Sequence, residues 1–268
     1  MPDLSKTLAF IREVQAHACV AVVMVAVGVP ESIKNSDSVS MESLPTLVMK
    51  LRGAVYEASD ITVSVEVVPV APWGKFVPAL NALVSRSVGY DFILFASVEV
   101  KLSSKAMKGL LDVMVRFPEA LVAGAALPGH DFQKGSEVPV SGMTAPWNTL
   151  ALWRMSHLGL MGFPLVAEGL YADGGVEEVS AIEALRRVAP QKSKAFLIKL
   201  SDVNWQTTFD DPKRQEWHTR KMASKVTPTA SSLILFSQGT RAAAHLALLG
   251  DAPSGTLATV AHMDLTSP

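Results

Sequence analysis

Two short stretches carry residue types suited to acid–base and metal chemistry. The first is Ala96-Ser97-Val98-Glu99-Val100, directly after the apolar run Asp91-Phe92-Ile93-Leu94-Phe95. A carboxylate just past a buried strand is well placed to hold a divalent cation through oxygen, which makes Glu99 a candidate metal ligand. A solvated edge glutamate is the plain alternative. The second is Gly174-Gly175-Val176-Glu177-Glu178-Val179, which opens a helical pattern. Adjacent helical residues point about 100° apart, so one of the two glutamates faces a pocket easily and can take a proton from an acceptor hydroxyl. Acids in a first turn also suit the helix dipole, and that reading stands beside the catalytic one.

Cationic candidates lie elsewhere. Gly74-Lys75-Phe76 starts a helical stretch, placing a cation and backbone N–H groups where an anion can sit, with Asn81 six residues on. A solvated lysine and a locally packed asparagine are the bland reading. His218 lies in Gln215-Glu216-Trp217-His218-Thr219-Arg220-Lys221. It suits a metal or a phosphate, with Arg220 and Lys221 adding charge-assisted donors; a surface histidine is the alternative.

Several classes drop out. The chain has neither Gly-x-Gly-x-x-Gly nor a phosphate loop ending in Gly-Lys-Ser/Thr, which removes most support for a dinucleotide dehydrogenase or a P-loop kinase. One cysteine, Cys19, allows no intrachain disulfide and no cysteine cluster for zinc. With 24 basic against 25 acidic residues there is no broad basic footprint, so a nucleic-acid partner is not expected. The apolar run Ala18–Val29 is too short to span a bilayer as a helix, and no transmembrane segment is expected; the chain reads as soluble and cytoplasmic.

The elements that must position these residues follow from periodicity. With 49% hydrophobic and 18% charged residues, the 268-residue chain is globular. Strands are expected at Ala18–Val27 (Val-rich and buried), Ile61–Val70, Asp91–Phe95 and Ala120–Ala126. Helices are expected from the Ser43 cap to about Ala58, over Phe76–Ser87, over Lys105–Arg116 behind Ser103 or Ser104, over Glu177–Val188 and over Ser231–Leu249. Pro128–Thr144 reads as a long loop, Thr149–Arg154 as a strand, Met155–Leu160 as a short helix and Phe196–Leu200 as a short strand. Ser201–Pro228 is polar with no clean period. This alternation argues an α/β fold with a mostly parallel sheet, whose ligands sit outside the carboxyl ends of the strands.

The order of the motifs resembles a known family. Gly74-Lys75, Ala79-Leu80-Asn81 and Gly89-Tyr90-Asp91-Phe92-Ile93-Leu94-Phe95, with Asn148-Thr149-Leu150-Ala151-Leu152-Trp153-Arg154 and Gly174-Gly175-Val176-Glu177-Glu178-Val179 downstream, resemble the GT-A glycosyltransferases. The likeness is to the large inverting family that uses nucleotide-diphosphate sugars, and it covers roughly residues 18–190. It implies a GT-A-like three-layer sandwich with a mostly parallel central sheet, as a single domain over 1–250. Within it 18–126 would be the nucleotide half, 127–228 the acceptor half and 229–250 a C-terminal helix, with 251–268 a flexible tail.

The resemblance also implies roles. Glu178 would be the catalytic base. Pro30, Glu31, Lys75, Asn81, Ser97, Arg220 and Lys221 would contact the nucleotide or diphosphate, and Trp147, Trp153, Arg154 and Glu177 the sugar or acceptor. Glu99 and His218 would hold Mn²⁺ or Mg²⁺. The family's Asp-x-Asp position reads Ser97-Val98-Glu99, and its base position holds Glu in place of Asp. The implied activity is transfer of a sugar to an acceptor hydroxyl. The alternative is a catalytically inactive relative that binds a nucleotide sugar or a protein partner. A nucleotidylyltransferase shares the architecture but needs a Gly-rich basic loop after strand one, where Gly28-Val29-Pro30-Glu31-Ser32 stands. The sequence names no acceptor and leaves a homo-oligomer open.

Overall fold

A computed structural model describes residues 4–29, 43–74, 76–165, 176–223 and 257–266. The chain divides into two compact units, Met1–Arg86 and Ser87–Pro268.

The first unit runs α1 (Leu4–Val14), β1 (Val22–Val27), α2 (Leu44–Glu57), β2 (Ser64–Pro69) and α3 (Phe76–Arg86). Ser43 caps α2, its Oγ accepting from the Thr46 N–H at 3.3 Å, and Pro45 sits in the first turn where no N–H is missed. β1 and β2 pair in parallel from Val22↔Ser64 to Val27↔Pro69. Val48, Leu51 and Val67 form the buried core, with Leu4, Leu44 and Val55 packed around it. β1 is half-buried along its length, whereas the Val-rich run suggested a fully buried strand. In a two-stranded sheet each strand keeps one edge without a ladder partner.

The second unit holds a six-stranded sheet in the order β3 (Phe92–Ala96), β7 (Leu150–Arg154), β5 (Ala120–Ala125), β8 (Lys194–Lys199), β10 (Thr259–Asp264) and β6 (Glu137–Pro139). β5, β8 and β10 pair in parallel, while β7 runs antiparallel between β3 and β5, and β6 antiparallel at the edge. Four of the six strands therefore point the same way. The chain is a mixed α/β protein with a mostly parallel central sheet. Every residue of β5 is buried. α4 (Ser104–Arg116) is capped by Ser103, whose Oγ accepts from the Ala106 N–H at 3.1 Å.

Three expectations need correction. Residues 259–264, assigned to a flexible tail, form an inner strand with Ala258, Val260 and His262 buried in alternation. Gly and Pro just upstream hide that short period. The loop over Pro128–Thr144 contains β6. The unpatterned Ser201–Pro228 stretch contains β9 (Val203–Trp205) and α7 (Pro212–Ala223), and β9 pairs with β4 (Val100–Leu102). The expected helix over Ser231–Leu249 lies outside the described residues.

Candidate functional site

The site is built at the carboxyl end of β3. The ladder between β3 and β7 ends at Ala96↔Leu150, and the next bond, from the Ser97 N–H to the Thr149 carbonyl at 2.9 Å, carries it one step further. Ser97 is thereby fixed beside the segment that leads into β7. That segment lies tight against β5: a Cβ on Gly124 would fall 2.5 Å from the Pro146 Cβ and 3.1 Å from the Leu150 carbonyl oxygen. Only glycine lets Pro146-Trp147-Asn148 run so close to the central strand.

Asn148 links the two predicted acidic motifs. Its backbone N–H donates to Glu178 Oε1 at 2.6 Å, and its Oδ1 accepts from the Trp153 indole N–H at 2.9 Å. Glu178 lies in the first turn of α6 (Glu177–Val188) and is 3% exposed. Its Oε2 and the Asn148 Nδ2 are both buried without a hydrogen-bond partner among the described residues. Residues whose motifs stand some eighty positions apart thus meet through Thr149 and Asn148.

On the other side, the Ser97 hydroxyl donates to Glu99 Oε2, and Arg214 on α7 donates to Glu99 Oε1. The Glu99 side chain is 11% exposed and that of Arg214 46%. The Gln206 N–H donates to the Glu99 carbonyl at 3.0 Å, which ties the end of β9 to this turn. Aromatic rings continue from there. Arg214 lies over the Phe209 ring at 4.5 Å, and His218 meets Phe209 edge-on at 5.5 Å and Trp205 at 5.3 Å. Trp205 meets Trp147 at 6.0 Å, and Trp147 stacks on His130 at 3.6 Å.

The remaining predicted residues divide. Ser97, Glu99, His218, Trp147 and Glu178 are joined by this network. Trp147 is 1% exposed and donates its indole N–H to the Gly142 carbonyl at 2.7 Å, so its ring is wall and not open face. Trp153 is fully buried against Phe163. Arg154 is spent on main-chain carbonyls: Ala120 at 3.0 Å, Phe117 at 3.2 Å, and Met114. It closes the end of α4, and burial pulls its guanidinium below the usual arginine value. Neither residue presents itself to an acceptor. Glu177 is buried beside Glu178. Asn81 is half-buried on α3 in the first unit. Pro30, Glu31 and Lys75, with the side chains of Arg220 and Lys221, lie outside the described residues.

The expected Mn²⁺ or Mg²⁺ does not fit the donor set. Glu99 already has a cation in Arg214, and the Ser97 hydroxyl is turned to Glu99. Among the described residues no three His, Cys, Asp or Glu side chains come together as a metal site. A hard divalent cation wants six or more oxygens, several of them anionic or supplied by its ligand.

Sequence reasoning missed Asn148, Trp205 and Arg214. Asn148 meets Glu178 through its backbone N–H, which no residue type reveals. Arg214 had a signal: Asp211-Pro212 is a helix start, with Asp211 Oδ1 accepting from the Lys213 N–H at 3.0 Å.

The chain matches no known family model and no curated protein. Among solved structures it is similar to the mannosyltransferase PcManGT from Pyrobaculum calidifontis, determined in complex with GDP-Man and Mn²⁺, with a TM-score of 0.45. The two are 10% identical over 82% of this chain and 70% of that one.

Proposed function

We propose that this chain is a GT-A-like, inverting glycosyltransferase that moves a sugar from a nucleotide-diphosphate donor to an acceptor hydroxyl. One observation carries the reading. Glu178 is buried with Oε1 fixed by the Asn148 N–H and Oε2 without a partner among the described residues, and the Asn148 segment is bonded through Thr149 to Ser97 at the carboxyl end of β3. A base held by one oxygen and bare on the other is poised to accept a proton. The motif order along the sequence supplies the substrate class.

In the proposed step the acceptor oxygen attacks the anomeric carbon from the face opposite the diphosphate. The carbon–oxygen bond to the diphosphate breaks, and its electron pair leaves with the diphosphate. The hydroxyl proton passes to Glu178 Oε2. Half-buried Trp205 offers a ring for the sugar, the role that the resemblance implied for Trp147 and Trp153. For Pro30, Glu31, Lys75, Asn81, Arg220 and Lys221, contact with the nucleotide rests on the sequence resemblance alone.

The test is direct. The full chain is incubated with UDP- and GDP-sugars and a panel of hydroxyl acceptors, and release of nucleoside diphosphate is followed. Release that rises with one acceptor supports transfer. Binding of a nucleotide sugar without release under any acceptor would favour the inactive relative, a reading that the occupied Glu99 carboxylate also suits.

A further inference from the structure

We propose that Arg214 supplies the positive charge for the donor's diphosphate, so that nucleotide binding needs no divalent metal. This rests on the transferase reading and deepens it. The observation is where Arg214 sits. Its guanidinium bonds the one carboxylate at the end of β3 that could have held a cation. The other parts of that turn are spent as well: the Ser97 hydroxyl on Glu99 Oε2, and the Glu99 carbonyl on the Gln206 N–H.

Arg214 is held but not used up. Its plane lies over Phe209, and 46% of the side chain is exposed, leaving guanidinium N–H groups turned to solvent. A guanidinium has five donors in a rigid fork that matches phosphate oxygens. Glu99 positions that fork from behind, and Phe209 fixes its tilt. The site's charge arithmetic agrees: Glu99 and Arg214 cancel, so the turn does not repel an anion as a bare acidic metal site would. A diphosphate gains the free donors and, in the transition state, stabilisation of the charge that grows on the departing oxygen.

The experiment is calorimetric titration of the full chain with UDP and with GDP, each in EDTA and in Mn²⁺. One of the two binds in EDTA, and Mn²⁺ changes its affinity by less than about twofold. Arg214→Ala weakens that binding by roughly tenfold or more, the loss of one charged hydrogen bond, and Arg214→Lys restores part of it. Glu99→Gln discriminates most sharply. If Arg214 is the cation, losing the charge of its partner frees the guanidinium and tightens binding by about two- to fivefold. If Glu99 held a metal, the same change would abolish binding. Binding that needs Mn²⁺ and fails in Glu99→Gln, or wild-type affinity in Arg214→Ala, overturns this inference and leaves the transferase reading standing. No binding of either nucleotide in either condition overturns both. Matched melting profiles confirm that each variant folds.

Discussion

Replacing Glu178 by Gln removes the proposed base while keeping its shape. The amide oxygen still accepts from the Asn148 N–H, now at 2.6 Å from the carboxylate. That bond falls from charged to neutral, a loss of about 1 kcal/mol. Against this, a buried carboxylate with an unpartnered oxygen is relieved, worth about 1–3 kcal/mol, although the new amide N–H₂ meets the same lack of partners. The two nearly cancel, so the melting midpoint should move by no more than about 3 °C. Turnover should fall by about 10²–10⁴-fold, the usual contribution of a positioned base. Glu178→Ala is the counterpart. It leaves the Asn148 N–H buried without an acceptor, at a cost of about 1–3 kcal/mol, and lowers the midpoint by several degrees. Nucleoside diphosphate release reads the first effect and differential scanning fluorimetry the second. A Gln variant that turns over within about twofold of wild type refutes the assignment, whatever its stability.

Other perturbations test the frame around the site. Gly124→Ala puts a methyl 2.5 Å from the Pro146 Cβ, in backbone that cannot yield, and should cost about 1–3 kcal/mol by thermal melting while lowering turnover through the shifted Asn148. Ser103→Ala removes the α4 cap and should cost about 0.5–2 kcal/mol, read by the same melt, with turnover unchanged. Arg154→Met should cost about 1–3 kcal/mol in chemical denaturation, because the buried end of α4 loses the guanidinium's bonds to the Ala120, Phe117 and Met114 carbonyls, although the Phe117 carbonyl keeps the Ala120 N–H at 2.9 Å. His157 and His262 are held below the ordinary histidine value, first by burial, and for His157 also by Arg154 and Lys192. The folded chain therefore binds fewer protons than the unfolded chain below about pH 6.5, and the stability present above that pH is lost as the pH falls. Asp264, held at about 2 by its bonds from Thr266 and by Lys134, adds nothing in that window. The melting midpoint should be level from pH 7 to 8.5 and fall toward pH 5; a level midpoint throughout would refute it.

The regular elements were legible where a residue's surroundings are local. Ser43 and Ser103 cap the helices their positions suggest, because a cap is decided within three residues. β5 shows as an unbroken apolar run because both faces are covered. β10 was not legible, since its six residues become a strand only between β8 and β6, and neither neighbour is near in sequence. At the site, Glu99 and Glu178 stood out by type and spacing, but what each one bonds was out of reach. Arg214 lies 115 residues from Glu99, and its pairing decides whether that carboxylate can take a metal.

One helix carries two buried glutamates whose oxygens are answered differently. Glu183 and Glu178 both lie on the buried length of α6. Glu183 is fully buried and fully answered: Oε1 accepts from Arg187 at 3.1 Å, and Oε2 from the Ala258 N–H at 2.7 Å, which fastens the start of β10 to the helix. Glu178, five residues earlier, has Oε1 answered by the Asn148 N–H, while its Oε2 and the Asn148 Nδ2 are without a partner among the described residues. Folded proteins leave few buried polar atoms unpaired, because each costs about 1–3 kcal/mol. Both atoms are closed off from solvent in this structure, one an acceptor and one a donor. Under the proposed transferase reading Glu178 Oε2 is the one that takes the acceptor's proton, and Glu178→Gln is the variant that tests it.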